Sequence, residues 1–172
     1  MTGIVNARFT PAPPWLTGTL QTVADRVHPR THDLAAASTA QRLVVGMGDG
    51  SGDALAVRIH RPRVGPRPDR PLVLVVHGLG GSIESTYVRA VSLGLLRAGY
   101  VVARVDLRGV GDSSEHCQML YHGGRSEDLR TVLRALADER HAIGGNVTLK
   151  LLGEPLDRVP VRAGVAVSAP LD

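Results

Sequence analysis

The sequence predicts an α/β protein with a mainly parallel sheet, an N-terminal β-hairpin and helices on both faces of the sheet. Two short β-rich runs, at 43–45 and 54–59, flank a turn-rich segment of glycine, aspartate and serine, which is typical of a hairpin. From residue 71 onward, apolar runs of strand length alternate with stretches of helical periodicity. Such alternation is typical of parallel strands joined by helices that pack on the sheet.

The chain divides into an N-terminal arm and one domain. Residues 1–38 are expected to form an irregular arm, because Pro11, Pro13 and Pro14 disfavour a helix there. Residues 39–172 are expected to form a partial α/β domain, whose later strands are predicted by the apolar runs at 71–76, 100–105 and 161–167.

Helices are predicted between these strands. The first has Val88, Val91 and Leu95 on its expected buried stripe and ends at Gly99. The second begins at Ser126, and its apolar face consists of Leu129, Val132, Leu133 and Leu136. A short third helix is expected over about 144–152.

Composition excludes several classes of protein. With 43% apolar residues and a net charge of +4 over 172 residues, the chain is typical of a soluble globular protein. It contains no apolar run long enough for a membrane span, and we expect no signal peptide from its first residues. Its single cysteine, Cys117, favours a cytoplasmic location. The arginines at 58–70 have no aromatic residues among them, so we expect no nucleic-acid partner.

A glycine-rich loop follows the predicted strand at 71–76. It reads His77-Gly78-Leu79-Gly80-Gly81-Ser82, and its glycines permit a tight turn that directs backbone N–H groups into a crevice at the end of the strand. Such N–H groups can stabilise a developing oxyanion, although an ordinary strand-to-helix turn would have the same composition. The spacing does not fit a dinucleotide-binding loop, and we expect no cofactor and no metal site.

Four motifs in order support a more specific assignment. The glycine-rich loop is followed by Asp106-Leu107-Arg108-Gly109, then Tyr121-His122-Gly123-Gly124, then Ala142-Ile143-Gly144-Gly145-Asn146. In this order and spacing the set resembles the AB hydrolase 4 family of the α/β-hydrolase superfamily, whose members are esterases and acylglycerol lipases. The resemblance includes Trp15-Leu16 in the arm and implies an α/β-hydrolase fold.

The resemblance also implies roles for individual residues. Ala142 matches the position of the family's nucleophilic serine, so a catalytic hydroxyl is absent there. The N–H groups of Leu79 and Ile143 match the oxyanion hole, and His77, Gly78, Gly144 and Gly145 support these motifs. The implied ligand is a small acyl ester or a lipid-like molecule.

Two further departures from the family are expected. The second helix is expected to end in Ala137-Asp138-Glu139-Arg140 and to run almost directly into Ala142, which leaves no room for the strand that normally precedes the nucleophile. The family's aspartate and histidine come from a C-terminal half that this sequence does not include. We therefore expect a truncated fold without its elbow strand, and a pseudoenzyme that does not hydrolyse carboxylic esters. The alternative is a non-catalytic binding or partner-regulating module that retains an acyl pocket.

Overall fold

A computed structural model of the chain describes residues 10, 13–14, 16–17, 32–65, 67 and 69–136, together with two strands at 141–144 and 161–165. The chain separates into two units, Met1–Thr31 and His32–Asp172. All the helices and strands given below belong to the second unit. The first of them already begin at residues 34 and 38, within the segment expected to be irregular.

The described elements alternate as the sequence predicts. In chain order they are α1 (Leu34–Ala37), β1 (Ser38–Gly46), β2 (Ala54–Pro62), β3 (Leu72–Val76), α2 (Thr86–Arg97), β4 (Val102–Val105), a 3-10 helix (Gly111–His116), α3 (Ser126–Ala135), β5 (His141–Gly144) and β6 (Val161–Val165).

The six described strands form one mixed sheet in the order β1-β2-β4-β3-β5-β6. The predicted hairpin is confirmed, because β1 pairs antiparallel with β2 from Ser38 opposite Pro62 to Gly46 opposite Ala54. β2 is also antiparallel to β4, whereas the pairs β4–β3, β3–β5 and β5–β6 are parallel. The carboxyl ends of β3, β4, β5 and β6 therefore lie at one edge of the sheet.

Each face of the sheet buries its own apolar cluster. Leu72, Leu74 and Val76 of β3 pack with the apolar face of α3. Val75 lies on the opposite face and packs with Leu34 and with α2. Because alternate residues of a strand point to opposite faces, β3 is buried on both sides, as a central parallel strand should be. The expectation of helices on both faces is confirmed.

Helix α3 has the predicted start and the predicted buried face. It begins at Ser126, and its apolar side chains are all buried, namely Leu129, Val132, Leu133 and Leu136. Glu127 and Asp128 in the first turn complement the positive end of the helix dipole.

The predicted buried stripe of α2 is correct only in part, and Leu95 is partly buried against the core. Val88 is buried, but Val91 is 52% exposed, and Ser92 is fully buried instead. The hydroxyl of Ser92 donates to the carbonyl oxygen of Val88 at 2.7 Å, so this polar group is satisfied inside the helix. A serine that bonds within its own helix can occupy a core position, which apolar periodicity does not reveal.

The expected absence of a strand beside β3 is also wrong. β5 occupies this place, with Leu72 opposite His141 and Val75 opposite Gly144. A central strand needs hydrogen-bond partners on both sides, and β5 supplies them on the side away from β4. Gly144 ends this strand, so it does not begin the predicted third helix, whose other residues lie outside the described part of the chain.

Candidate active site

The candidate site lies at the carboxyl ends of β3 and β4. The loop 77–83 follows β3 and leads to α2, and the segment 106–110 follows β4 and leads to the 3-10 helix. Ligands of open α/β sheets bind outside the carboxyl ends of their strands, so the position of these loops fits a binding site.

His77 connects the two loops. Its Nε2 accepts the backbone N–H of Leu107 at 3.1 Å. Because Nε2 accepts, the ring proton is on Nδ1, which donates to the carbonyl oxygen of Gly78 at 2.8 Å. The side chain is only 2% exposed, so His77 is a structural link and is not placed to act as a base.

Two tyrosine hydroxyls bind the backbone on either side of Leu79. The hydroxyl of Tyr87 accepts the N–H of Gly78 at 2.7 Å, and the hydroxyl of Tyr121 accepts the N–H of Gly80 at 2.7 Å. Within the described part of the chain, no atom accepts the N–H of Leu79. The N–H of Leu79 is therefore without a partner among the described residues, between two backbone N–H groups that are bound.

Asp106 holds the two loops together from inside. Its Oδ1 accepts the N–H of Ile83 at 2.8 Å, and its Oδ2 accepts the N–H of Asp112 at 3.0 Å. The residue is fully buried, and both carboxylate oxygens are engaged. We therefore assign Asp106 to the architecture of the site and not to its chemistry.

Arg108 is a buried side chain at the centre of an ion-pair cluster, in which Asp53 and Asp128 are buried and Asp49 is 37% exposed. Its guanidinium contacts Asp128 at 2.7 Å, Asp53 at 2.8 Å and Asp49 at 2.6 Å. These bonds, above all the one to Asp128, raise the pKa of Arg108. The pKa of Asp53 is lowered, first by the backbone N–H of Gln118 and also by Arg108. The cluster ties the hairpin turn to the first turn of α3.

Ser38 and His60 form a serine–histidine contact, but it is not a catalytic pair. The Nδ1 of His60 lies 2.9 Å from the Oγ of Ser38, whose own proton is donated to the carbonyl oxygen of Leu34. The Nε2 of His60 accepts from the guanidinium of Arg104 at 3.0 Å. Burial, with the charge of Arg104 second, lowers the pKa of His60 to about 4. This histidine is therefore a poor base, and both residues are buried.

Other serines near the site have turn and capping roles. Ser113 is buried, accepts the N–H of Ala56 and donates to the carbonyl oxygen of Asp106. Ser114 donates to the carbonyl oxygen of Gly111. Ser82 accepts the N–H of Glu84. None of these three has a histidine partner among the described residues.

The structure places Ala142 and Ile143 inside β5, not in a turn. Ala142 lies opposite Val73 and Ile143 lies opposite Leu74, two residues before the end of β3. Leu79 lies three residues beyond that end, so the structure does not bring the two expected oxyanion residues to the same level. Gly144 is the last residue of β5, and Gly145 lies outside the described residues.

Sequence reasoning missed the role of the two tyrosines that hold the loop. Tyr121 stands in one of the four motifs without an assigned function, and Tyr87 belongs to none of them. A contact between a side-chain hydroxyl and a distant backbone N–H has no periodic signal in the sequence. Gly81, the third glycine of the loop, is explained only by the structure, in which a Cβ there would lie 2.8 Å from the Tyr87 hydroxyl.

The described residues contain no candidate metal site and no membrane-spanning helix. No group of three or more histidine, cysteine, aspartate or glutamate side chains is arranged to hold a metal ion among them. None of the helices in the described part of the chain is long and apolar enough to cross a membrane.

Comparison with known sequences gives two relatives. The chain is 31% identical over 110 residues to the Escherichia coli (strain K12) protein named "Putative esterase YheT", a match that covers 59% of this chain and 32% of that protein. It is 25% identical over 121 residues to the Saccharomyces cerevisiae protein named "Monoacylglycerol lipase", covering 64% of this chain and 27% of that protein. The chain thus spans about a third or less of each relative. No family model matches it.

Comparison with solved structures establishes the fold. An α/β serine hydrolase homologue from Coxiella burnetii superposes with a TM-score of 0.59 at 22% identity, over 76% of this chain and 63% of that one. An esterase from Pyrococcus furiosus superposes with a TM-score of 0.62 at 22% identity, over 83% of this chain and 57% of that one. These neighbours show that the chain has the α/β-hydrolase fold, and its sequence is similar to proteins named as an esterase and a lipase.

Proposed function

We propose that the loop 77–81 is the oxyanion-binding part of a site of the carboxylic ester hydrolase type, with acyl lipids as the substrate class, and that this chain does not itself hydrolyse esters. The observation that carries the proposal is the N–H of Leu79, which has no partner among the described residues while both neighbouring N–H groups are bound by tyrosines. A backbone N–H held in this way can stabilise negative charge on a carbonyl oxygen.

The absence of hydrolysis is proposed from the residues that match the family's nucleophile motif. Ala142 has no oxygen that could attack a carbonyl carbon. Among the described serines at this edge of the sheet, Ser82, Ser85, Ser113 and Ser114 bond to the backbone of nearby turns. Membership of the AB hydrolase 4 family in particular, and a cytoplasmic location, stay predictions from the sequence.

Retained binding of an acyl ligand is the second candidate function, and a specific observation favours it. Leu79 is 94% exposed and Leu120 is 74% exposed, and both lie in the loops that Tyr121 joins. Exposed apolar side chains in these loops, together with an N–H donor that has no partner among the described residues, suit a ligand with a carbonyl or carboxylate head and an acyl chain. The bound species would be an acyl ester or the carboxylate derived from it.

One experiment tests both parts. The chain is incubated with p-nitrophenyl octanoate and with a serine-directed fluorophosphonate, and octanoate is titrated into the ¹⁵N-labelled chain while the amide signal of Leu79 is followed by NMR. We expect no turnover above the buffer rate, no covalent label, and a saturable shift at Leu79. Stoichiometric labelling of a serine would overturn the proposed inactivity. A Leu79 signal that does not respond to octanoate would overturn the binding role.

A further inference from the structure

The two tyrosines that hold the loop come from different parts of the chain. Tyr87 lies in the first turn of α2, and Tyr121 lies in the segment between the 3-10 helix and α3. Each hydroxyl accepts one backbone N–H at 2.7 Å, and the two N–H groups belong to Gly78 and Gly80, one on each side of Leu79. The loop is therefore held from both sides.

Binding at Gly78 and Gly80 restricts the peptide group between them. Peptide groups are planar, so the orientation of the Leu79 N–H depends on a few backbone dihedral angles. Fixing the N–H vectors on both sides limits those angles, and so it limits the directions that the central N–H can take. A donor with a preset direction does not have to be reoriented when a ligand binds, which is how such groups stabilise charge effectively.

Tyr121 is itself well positioned. Its backbone N–H donates to the carbonyl oxygen of Arg108 at 3.1 Å, and its ring meets the ring of His77 edge-on with centroids 5.6 Å apart. The hydroxyl is thus placed by contacts to both loops of the site. A rigid support of this kind is what a preset donor requires.

Gly81 gives an independent indication for Tyr87. A Cβ at Gly81 would lie 2.8 Å from the Tyr87 hydroxyl and 3.1 Å from the hydroxyl of Ser85. Gly81 is not among the glycines with a positive φ, so its backbone does not itself require glycine. The residue has little room for a side chain because the hydroxyl of Tyr87 lies nearest to that space, with the hydroxyl of Ser85 and the carbonyl oxygen of Gly78, at 3.2 Å, also close to it.

We propose that Tyr87 and Tyr121 are positioning residues, whose hydroxyls fix the backbone at Gly78 and Gly80 so that the N–H of Leu79 is presented to the carbonyl or carboxylate oxygen of an acyl ligand. This inference rests on the proposed function. It adds two side chains that act through the loop backbone and do not themselves touch the ligand.

Amide hydrogen exchange in the full ¹⁵N-labelled chain tests the tyrosines directly. In Tyr121→Phe we expect the exchange of the Gly80 amide to accelerate about five- to tenfold, as loss of one hydrogen bond allows, with Gly78 and the buried strand residue Val76 unchanged. In Tyr87→Phe the Gly78 amide should accelerate instead. Gly81→Ala should reproduce the Tyr87→Phe result, because the added methyl group displaces the same hydroxyl.

Tyr100→Phe is the matched control. Tyr100 stacks on the guanidinium of Arg70, away from the loop, and its hydroxyl has no hydrogen bond among the described residues. This variant should leave the exchange of Gly78, Gly80 and Val76 unchanged. If Tyr87→Phe and Tyr121→Phe each accelerate the exchange of the Gly78, Gly80 and Val76 amides alike, the hydroxyls stabilise the whole fold. That result would overturn the proposal. Unchanged exchange at Gly78 and Gly80 would overturn it as well.

The octanoate titration separates this inference from the proposed function. In the parent chain the Leu79 amide should shift on titration, and in Tyr121→Phe and Tyr87→Phe the apparent affinity for octanoate should fall by about fivefold or more. Affinities equal to that of the parent chain, with local exchange accelerated, would overturn the positioning role. If the parent chain does not respond to octanoate, the proposed function fails, and amide exchange still decides whether the tyrosines hold the loop.

Discussion

Arg108 and Asp128 form a two-point ion pair, with Nε 2.8 Å from Oδ2 and Nη2 2.7 Å from Oδ1. The two side chains are 1% and 5% exposed. The remaining guanidinium nitrogen, Nη1, donates to Asp53, whose side chain is 1% exposed. The planar guanidinium group suits this arrangement, because it presents several N–H donors in fixed directions.

Replacing Arg108 should be strongly destabilising. In Arg108→Met we expect the free energy of unfolding to fall by about 3–5 kcal/mol, because Asp128 would stay buried without its cation. Urea denaturation measures this change. Arg134→Met is the matched control, since Arg134 pairs with Glu127 on the surface, and it should change stability by less than about 0.5 kcal/mol. Equal effects of the two substitutions would contradict the central role of Arg108.

His60 should make stability depend on pH. Its pKa is lowered from 6.5 to about 4, mainly by burial and then by Arg104, with Arg58 and Arg89 acting in the same direction and Glu84 opposing. Between these two values the unfolded chain binds the proton and the folded chain does not. Stability contributed by neutral His60 is therefore complete above about pH 6.5 and is lost as the pH falls towards 4.

His60→Gln provides the measurement for this prediction. Glutamine retains an acceptor for Arg104 and a donor for Ser38 but does not titrate. Urea denaturation at several pH values should show the stability of the parent chain falling relative to the variant between pH 6.5 and 4. At higher pH the difference between the two should be constant. A difference independent of pH throughout would show that His60 keeps its ordinary pKa.

Replacing Gly111 or Gly94 with alanine should change the stability of the fold in opposite directions. Gly111 has a φ of +51°, and a Cβ there would collide with the carboxylate of Asp106, so Gly111→Ala should lower the melting temperature. Gly94 lies inside α2, and a methyl group added there would meet no atom within 4 Å, so Gly94→Ala should stabilise the chain by about 0.5–1 kcal/mol. Thermal unfolding of both variants measures the contrast. Stabilisation by Gly111→Ala would contradict the close packing on Asp106.

Restoring a serine at the expected nucleophile position should not restore activity. Ala142→Ser would add a hydroxyl within β5, opposite Val73, and the catalytic groups of a triad act as a unit. We expect neither turnover of p-nitrophenyl octanoate nor labelling by a fluorophosphonate. Appreciable activity of this variant would mean that a histidine already present serves as the base. The parent chain is the control for both measurements.

Features that depend on local periodicity could be predicted from the sequence. The hairpin, the strand at Leu72–Val76 and the buried face of α3 follow from alternation and from helical spacing. The buried stripe of α2 could not be predicted correctly, because Ser92 satisfies its hydroxyl on Val88 and takes a core position. The spacing of apolar residues predicts the buried face of a helix only where no polar side chain takes a position in the core.

The position of the glycine-rich loop could be predicted from the sequence, but the contacts that hold the loop could not. The glycines of the loop after β3 indicated a turn with exposed N–H groups, and the loop lies where this was expected. Tyr121 lies 41 residues after Gly80 in the chain, so the hydrogen bond between its hydroxyl and the Gly80 N–H depends on tertiary structure alone. Ala142 likewise lies in a strand because β3 requires a hydrogen-bonded strand on its second side, and no sequence motif indicates this requirement.

The strand order also constrains how the chain can fold. β2 pairs with β4 and not with β3, the next strand along the chain. The β1–β2 hairpin can form from local contacts. It can join the parallel strands only through β4, which follows α2 in the chain. Joining the hairpin to the parallel strands therefore closes a long stretch of chain, and such non-local pairing is slow. During synthesis β1 and β2 are made before β4, so the edge of β2 that pairs with β4 stays unpaired until β4 has been made.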